Sequence, residues 1–288
     1  ARLNNSKKPI IIAGAGAINS YKILRRFINK FKIPTTTTLH GLGVVDEYDE
    51  LSLNMIGMHG SYEANMALSN SDLIIGIGNR FDDRTIGKLS EFGINARHGQ
   101  GIIHVDNSID QINKVKNLIN PDLSICIEVE TLIKFINNYY YDEYVDRSPW
   151  INQINNYRES FKLKYDPNLL TSNYIMYILS KVLKSNDNYI LTTGVGSHQM
   201  VVAQYFKHRY PNKLLTSGSL GTMGSGLGFA IGAQIANPNS TVILIDGDGS
   251  FTMSSNDLAT IKEYNLPIKI ILMNDKKLKM VDMWQGIF

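Results

Sequence analysis

One cysteine in 288 residues leaves no internal disulfide to form, which fits a reducing compartment. That residue, Cys126, lies in the apolar run LSICIEV and is expected to be a buried thiol rather than a nucleophile. No apolar run approaches the roughly 18 residues that cross a bilayer, so no membrane partner is expected. An excess of one charge is lacking too. Lys and Arg number 29 against 26 Asp and Glu, interspersed, which leaves no footprint for nucleic acid. There is no internal repeat and no low-complexity tract, so solenoid architectures are excluded. No signal-peptide pattern opens the chain. It starts at Ala1 and stops at Phe288 directly behind a motif, and both ends read as cuts through a longer protein.

What is present is an alternation of apolar runs with helical spacing. PIIIAGAGA reads as a buried strand entering a Gly-rich turn, SYKILRRFINKF as a helix, and IPTTTTL as extended β-branched chain. A helix near 61–69 precedes the strand DLIIGIG. GIIHVD, SIDQINKVKNLI, DLSICIEV and ETLIKFINNYY then follow as strand, helix, strand and helix. The alternation restarts near 171, with NYILTTGVG, STVILIDGDG and PIKIILMND as its main strands. This pattern predicts an α/β fold of two parallel-sheet, Rossmann-like domains, 1–137 and 171–288. A polar, aromatic-rich linker with some helix is expected at 138–170, with Trp150 as a packing anchor.

Two carboxylates carry the clearest chemistry. Asp248 and Asp275 each follow a strand of one βαβ unit, and the crossover rule makes those strands parallel. Both acids therefore reach the same carboxyl edge, where open α/β sheets bind ligands. Gly247 and Gly249 let the backbone pass close to a ligand, and the amides near Ser250 can hold phosphate oxygens. A hard divalent cation is commonly held by one or two carboxylates plus ligand phosphates. Each motif alone reads as an ordinary turn. Their conjunction at two strand ends points to a Mg²⁺–diphosphate site.

GDGSF followed by MND resembles the signature of thiamine-diphosphate enzymes. LTTGVGSHQM, TSGSLGTMGSGLGFAIGAQ and MVDMWQGIF narrow the resemblance to the catalytic subunit of acetohydroxyacid synthase, also called acetolactate synthase. The resemblance implies Mg²⁺ on Asp248, Asp275 and the carbonyl of Lys277. It implies thiamine diphosphate contacts from Val195, Gly196, Ser197, His198, Gly221, Gly247, Gly249, Ser250, Leu278 and Met280. Met223 matches the residue beneath the thiazolium ring, and Trp284 the one that favours a 2-ketobutyrate acceptor. Without their neighbouring motifs, both would read as core packing. Three positions depart from the family: Asp275 replaces Asn, Ser197 replaces Gln and Lys279 replaces Gly. Lys276, Lys277 and Lys279 are expected to offset the charge added by Asp275.

TLHGLG, NMIGMHGS and GNRFDDRTIGKL resemble the FAD-binding segments of the same family, and RFDDR is the most distinctive of them. AGAGA supplies a GxG after a strand, with Asn19 where a dinucleotide fingerprint has its third glycine. The resemblance implies FAD contacts from Gly14, Ala15, Gly16, Thr38, Leu39, His40, Gly57, Met58, His59, Gly78, Asn79, Arg80 and Asp82. Asp106, ending the strand GIIHVD, is placed to accept from a ribose hydroxyl, with Glu128 as a weaker contact. Arg84 resembles the arginine facing the substrate carboxylate, a task suited to a guanidinium fork.

The implied reaction is decarboxylation of pyruvate on thiamine diphosphate, then transfer of the two-carbon unit to pyruvate or 2-ketobutyrate. This belongs to branched-chain amino-acid (valine, leucine and isoleucine) biosynthesis. The family's pyrimidine-binding domain and closing tail are expected to be missing, leaving the piece inactive alone. A homodimer or homotetramer with a regulatory subunit is implied. A plastid stroma or a bacterial cytoplasm is the expected location. The alternatives are pyruvate oxidase, glyoxylate carboligase, or a cofactor-binding fragment without catalysis.

Overall fold

The computed structural model describes residues 1–139 and 145–287, and residues 140–144 of the expected linker lie outside them. Two compact units emerge, one of residues 1–162 with 208–211, the other of 163–207 with 212–288.

The first unit is built on β1 (Pro9–Ala13), β2 (Thr35–Thr37), β3 (Ser52–Met55), β4 (Leu73–Ile77), β5 (Gly101–Asp106) and β6 (Leu123–Cys126). The strands form one sheet in the order β3-β2-β1-β4-β5-β6, every pairing parallel. Every residue of β1 and β4 is buried, because helices cover both faces. Alternation along β1 sends Ile10 and Ile12 into one core and Ile11 and Ala13 into the other. Helix Tyr21–Phe31 buries Leu24, Phe27, Ile28 and Phe31, a stripe at helical spacing, and ends at Lys32 in the left-handed conformation. Helix Ile109–Ile119 is capped by Ser108, whose hydroxyl accepts from the Gln111 amide, and buries Ile112, Val115 and Ile119.

By its contacts the chain divides at 162/163, because helix Ser148–Ser160 packs on the first unit. Its Trp150 is 1% exposed, and its indole donates to the Pro9 carbonyl at 3.0 Å. Cys126 is exposed, not buried. It sits on β6, an edge strand whose side chains are half-buried or exposed along its whole length, so an apolar run alone does not bury the thiol.

The second unit has β7 (Tyr189–Thr193), β8 (Leu214–Leu215), β9 (Thr241–Gly247) and β10 (Lys269–Met273), all parallel, in the order β10-β9-β7-β8. β7 and β9 form its buried centre. Helix Ser225–Ala236 lies against them through Leu227, Ala230 and Ala233. Among the described residues, no helix is long and apolar enough to cross a membrane.

Candidate functional site

Each sheet gathers its candidate residues at its carboxyl edge, and each site is built within its own unit. In the second unit, the turn after β7 and the turn after β9 both lead into helices with no side-chain cap. Gly196 precedes helix Ser197–Tyr205 and Gly247 precedes helix Asp248–Thr252. Their first amides therefore keep donors free of side-chain caps, and these favour an anion. The two turns, the loop after β10 and Met223 enclose a cleft of about 210 Å³.

Val195, Gly196, Ser197, His198, Gly221, Met223, Gly247, Asp248, Gly249, Ser250, Asp275, Lys277, Leu278 and Met280 all line this cleft. Met273, Lys279 and Val281 join them. Met223 lies over Gly249, its methyl 3.8 Å from where a β-carbon would stand. Trp284 lies elsewhere, on helix Lys279–Gln285, and is 47% exposed.

The charges are not paired as expected. Lys277 Nζ lies 2.7 Å from Asp282 Oδ2, and Lys279 Nζ lies 3.9 Å from the same oxygen. Lys277, hydrogen-bonded to it, holds Asp282 below the usual carboxylate range. Two of the three lysines thus serve Asp282 rather than Asp275, because the turn into the helix brings Asp282 back beneath them. Asp275 instead accepts from the Ser197 hydroxyl at 3.4 Å. Ser197 and Asp275 thus meet across the cleft. Among the described residues, no three His, Cys, Asp or Glu side chains converge as metal ligands. A cation here would take Asp248, Asp275, main-chain oxygen and ligand phosphates, an all-oxygen set suited to Mg²⁺.

The first unit has the strand order of a dinucleotide-binding fold, with its switch point between β1 and β4. Gly14, Ala15 and Gly16 follow β1, and Gly78, Asn79, Arg80 and Asp82 follow β4. The two loops touch, with the Gly14 amide donating to Ile77 O at 2.9 Å and the Gly16 amide to Gly78 O at 3.1 Å. A β-carbon on Gly14 would stand 2.1 Å from the Gly78 carbonyl oxygen, so loop-to-loop approach alone requires glycine there. Thr38, Leu39 and His40 follow β2, and Gly57, Met58 and His59 follow β3. The Met58 amide donates to the Arg84 carbonyl at 3.0 Å.

RFDDR owes its shape to Phe81, which sequence reasoning missed. Phe81 is fully buried at φ 51°, its ring beneath the hydrogen-only face of Gly76 and edge-on to Phe92 and His104. A bulky residue in that conformation is strained, and the core interactions hold it. The turn leaves Arg80 and Arg84 exposed, while Asp82 caps helix Asp83–Ile86 by accepting from the Thr85 amide at 3.1 Å. Asp82 and Arg80 stand 3.8 Å apart. Asn79 Nδ2 and Thr37 Oγ1 are buried with no partner among the described residues, and both lie at this edge. Such orphaned atoms suit a ligand rich in acceptors and hydroxyls. Asp106 Oδ1 accepts from the Ser108 amide at 2.9 Å, and Glu128 Oε1 from Asn107 Nδ2 at 2.8 Å. One oxygen of each is therefore already engaged.

Comparison with known proteins joins the two halves. The thiamine pyrophosphate enzyme central domain matches residues 1–136, and the thiamine pyrophosphate enzyme C-terminal TPP-binding domain matches residues 194–288. Acetolactate synthase 1, chloroplastic, of Nicotiana tabacum is 41% identical over 99% of this chain and 42% of its own length. Acetolactate synthase, chloroplastic, of Arabidopsis thaliana is 40% identical over 99% of this chain and 42% of its length. The acetolactate synthase catalytic subunit, mitochondrial, of Saccharomyces cerevisiae is 39% identical over 99% and 43%. The chain thus spans less than half the length of these relatives. It belongs to the thiamine pyrophosphate enzymes, and within them it is a homologue of the acetolactate synthases.

Proposed function

We propose that the chain forms the FAD-binding and diphosphate-binding parts of an acetolactate synthase that joins pyruvate to pyruvate or 2-ketobutyrate. The observation that carries this reading is the single cleft uniting the GDG turn, the 196–198 turn, Met223 and the 275–280 loop. Thiamine diphosphate, when bound, supplies the electron sink for decarboxylation. The chain's own residues bind and orient. The open amides after Gly196 and Gly247 receive diphosphate oxygens, and Asp248 with Asp275 holds Mg²⁺ against them. Met223 lies over Gly249 in the cleft, where its side chain would bear on the bound cofactor and help to orient it. In the first unit, Arg80, Asn79 and Thr37 are offered to FAD, which is structural in this reading. Arg84 is offered to a 2-keto acid carboxylate, and Trp284 to the acceptor's alkyl group. The chloroplastic names of the tobacco and Arabidopsis relatives support a plastid location. A homo-oligomer with a regulatory subunit completes the proposal.

The test is thiamine diphosphate affinity at fixed Mg²⁺. Asp248→Ala should abolish binding, because it removes a charged ligand. Asp275→Asn should bind as well as wild type or better. The amide oxygen keeps the coordination place, and one negative charge facing the diphosphate is lost. At several ångströms and an effective dielectric near 20, that repulsion is on the order of 1 kcal/mol or more. With Lys277 and Lys279 engaged by Asp282, they do not cancel it. Near-normal binding by Asp248→Ala, with collapse in Asp275→Asn, would overturn the two-ligand site.

A further inference from the structure

Beneath the diphosphate cleft lies a buried Asp–His pair that neither motif explains. Asp246, the first acid of IDGDG, is fully buried at the end of β9, and His198 is 3% exposed. His198 Nε2 stands 3.2 Å from Asp246 Oδ1, within ion-pair reach but without hydrogen-bond alignment. Asp246 Oδ1 also accepts from the Gly247 amide at 2.9 Å. Asp246 Oδ2 is buried with no partner among the described residues. A buried carboxyl group left half satisfied is costly, and such a group in a folded interior calls for a role.

The surroundings are shaped to this pair. A β-carbon on Gly194 would lie 2.1 Å from both Asp246 Oδ1 and Ser250 Oγ. On Gly247 it would lie 2.8 Å from His198 Nδ1, and on Gly196 it would lie 2.9 Å from His198 Cε1. The Nε2 edge of the ring thus faces Asp246, while the Nδ1–Cε1 edge abuts the two cleft glycines, with no side chain between. Ser250 Oγ accepts from the Gly224 amide at 3.0 Å, which ties the same turn to the loop bearing Met223.

We propose that Asp246 is the positioning residue of the diphosphate site: it accepts from the His198 Nε2–H and so fixes the ring, and Nδ1, which takes up a solvent proton as the anion binds, donates to a ligand phosphate oxygen between Gly196 and Gly247. The inference rests on the proposed diphosphate reading for the ligand's identity. Bonds at such sites are often long and poorly aligned without ligand and tighten when it binds.

The experiment uses the 288-residue chain, with imidazole ¹⁵N spectra and with inorganic diphosphate plus Mg²⁺ as the probe. In the ligand-free wild type, His198, assigned by its loss in His198→Gln, should carry a proton on Nε2. Asp246→Asn should change that signal. A wild-type ring with Nε2 bare overturns the proposal, whether or not the variant folds. Asp246→Asn should weaken probe binding about tenfold, in keeping with losing a hydrogen bond to a charged group. His198→Gln should weaken it to a similar degree, and the double variant no further, because Asp246 acts through the ring. Additive losses, or no loss in Asp246→Asn, would refute the positioning role. If the ring signal responds to Asp246→Asn but wild type binds no diphosphate, Asp246 still holds His198, and the cofactor reading fails instead.

Discussion

His104 and His59 show how single residues tune this fold. His104 is fully buried behind Phe81, with Nε2 3.0 Å from the Asn79 carbonyl, and its pKa is pushed down, chiefly by burial. His59 is also pushed down, by burial first and then by Arg84. Both are therefore harder to protonate in the folded chain than in the unfolded one. Their contribution to stability is complete above the ordinary histidine pKa of about 6.5 and is lost as the pH falls below it toward the folded values. The urea midpoint should fall between pH 7.5 and 5.5, and the drop should shrink in His104→Gln. An equal drop in wild type and variant would show that His104 does not carry it. Nearby, Arg80→Ala should weaken FAD binding by about 1–3 kcal/mol if its guanidinium meets the cofactor. Equal affinities by titration would remove Arg80 from the site.

At the scale of elements, the meeting of the β1 and β4 loops sets what each position tolerates. Gly14→Ala would drive a β-carbon to within 2.1 Å of a carbonyl oxygen held by the sheet, and backbone cannot yield as a flexible side chain does. The expected loss is about 1–3 kcal/mol or more. Gly228, on helix Ser225–Ala236, has nothing within 4 Å of the same added atom. There the substitution should stabilise by about 0.5–1 kcal/mol, through the helix preference of Ala. Thermal midpoints moving the same way in both variants would contradict this account. The strands themselves were legible, because runs such as PIIIA and LIIGI are buried on both faces and need no partner information to be recognised. The cleft was legible for a related reason, since strand-end residues of parallel strands converge by topology. What was not legible depended on neighbours distant in sequence. Phe81 is core only because Gly76 leaves room for its ring. Cys126 is exposed only because β6 is an edge. Lys277 turns to Asp282 only because the helix begins where it does. The first acid of IDGDG was in plain view, but its meaning comes from His198, 48 positions earlier.

At the scale of the whole molecule, the telling feature is which unit claims residues 145–162. A polar stretch rich in Asn and Tyr reads as a linker, yet Trp150 and Ile154 complete a core that contains Ile10, Ile12 and Ile74. Tyr157 packs against the same core, and its ring meets Tyr62 edge-on at 6.4 Å. Arg147 adds a buried clamp, donating to the Phe31 carbonyl at 2.8 Å and to the Leu3 carbonyl at 2.7 Å. Helix Ser148–Ser160 is therefore part of the first unit's interior, joined to it by aromatic burial and by hydrogen bonds from the guanidiniums of Arg147 and Arg158 and from one indole. Trp150→Ala would leave a large cavity and remove the indole's hydrogen bond to the Pro9 carbonyl of β1. Such truncations cost about 3–5 kcal/mol. Hydrogen exchange measured along the chain should then speed up at β1, β4 and β5, as well as within the helix, because these elements share one core. If exchange quickens only between residues 145 and 162, the segment is a linker that merely lies on the surface, and the boundary belongs near residue 137, where the sequence first placed it.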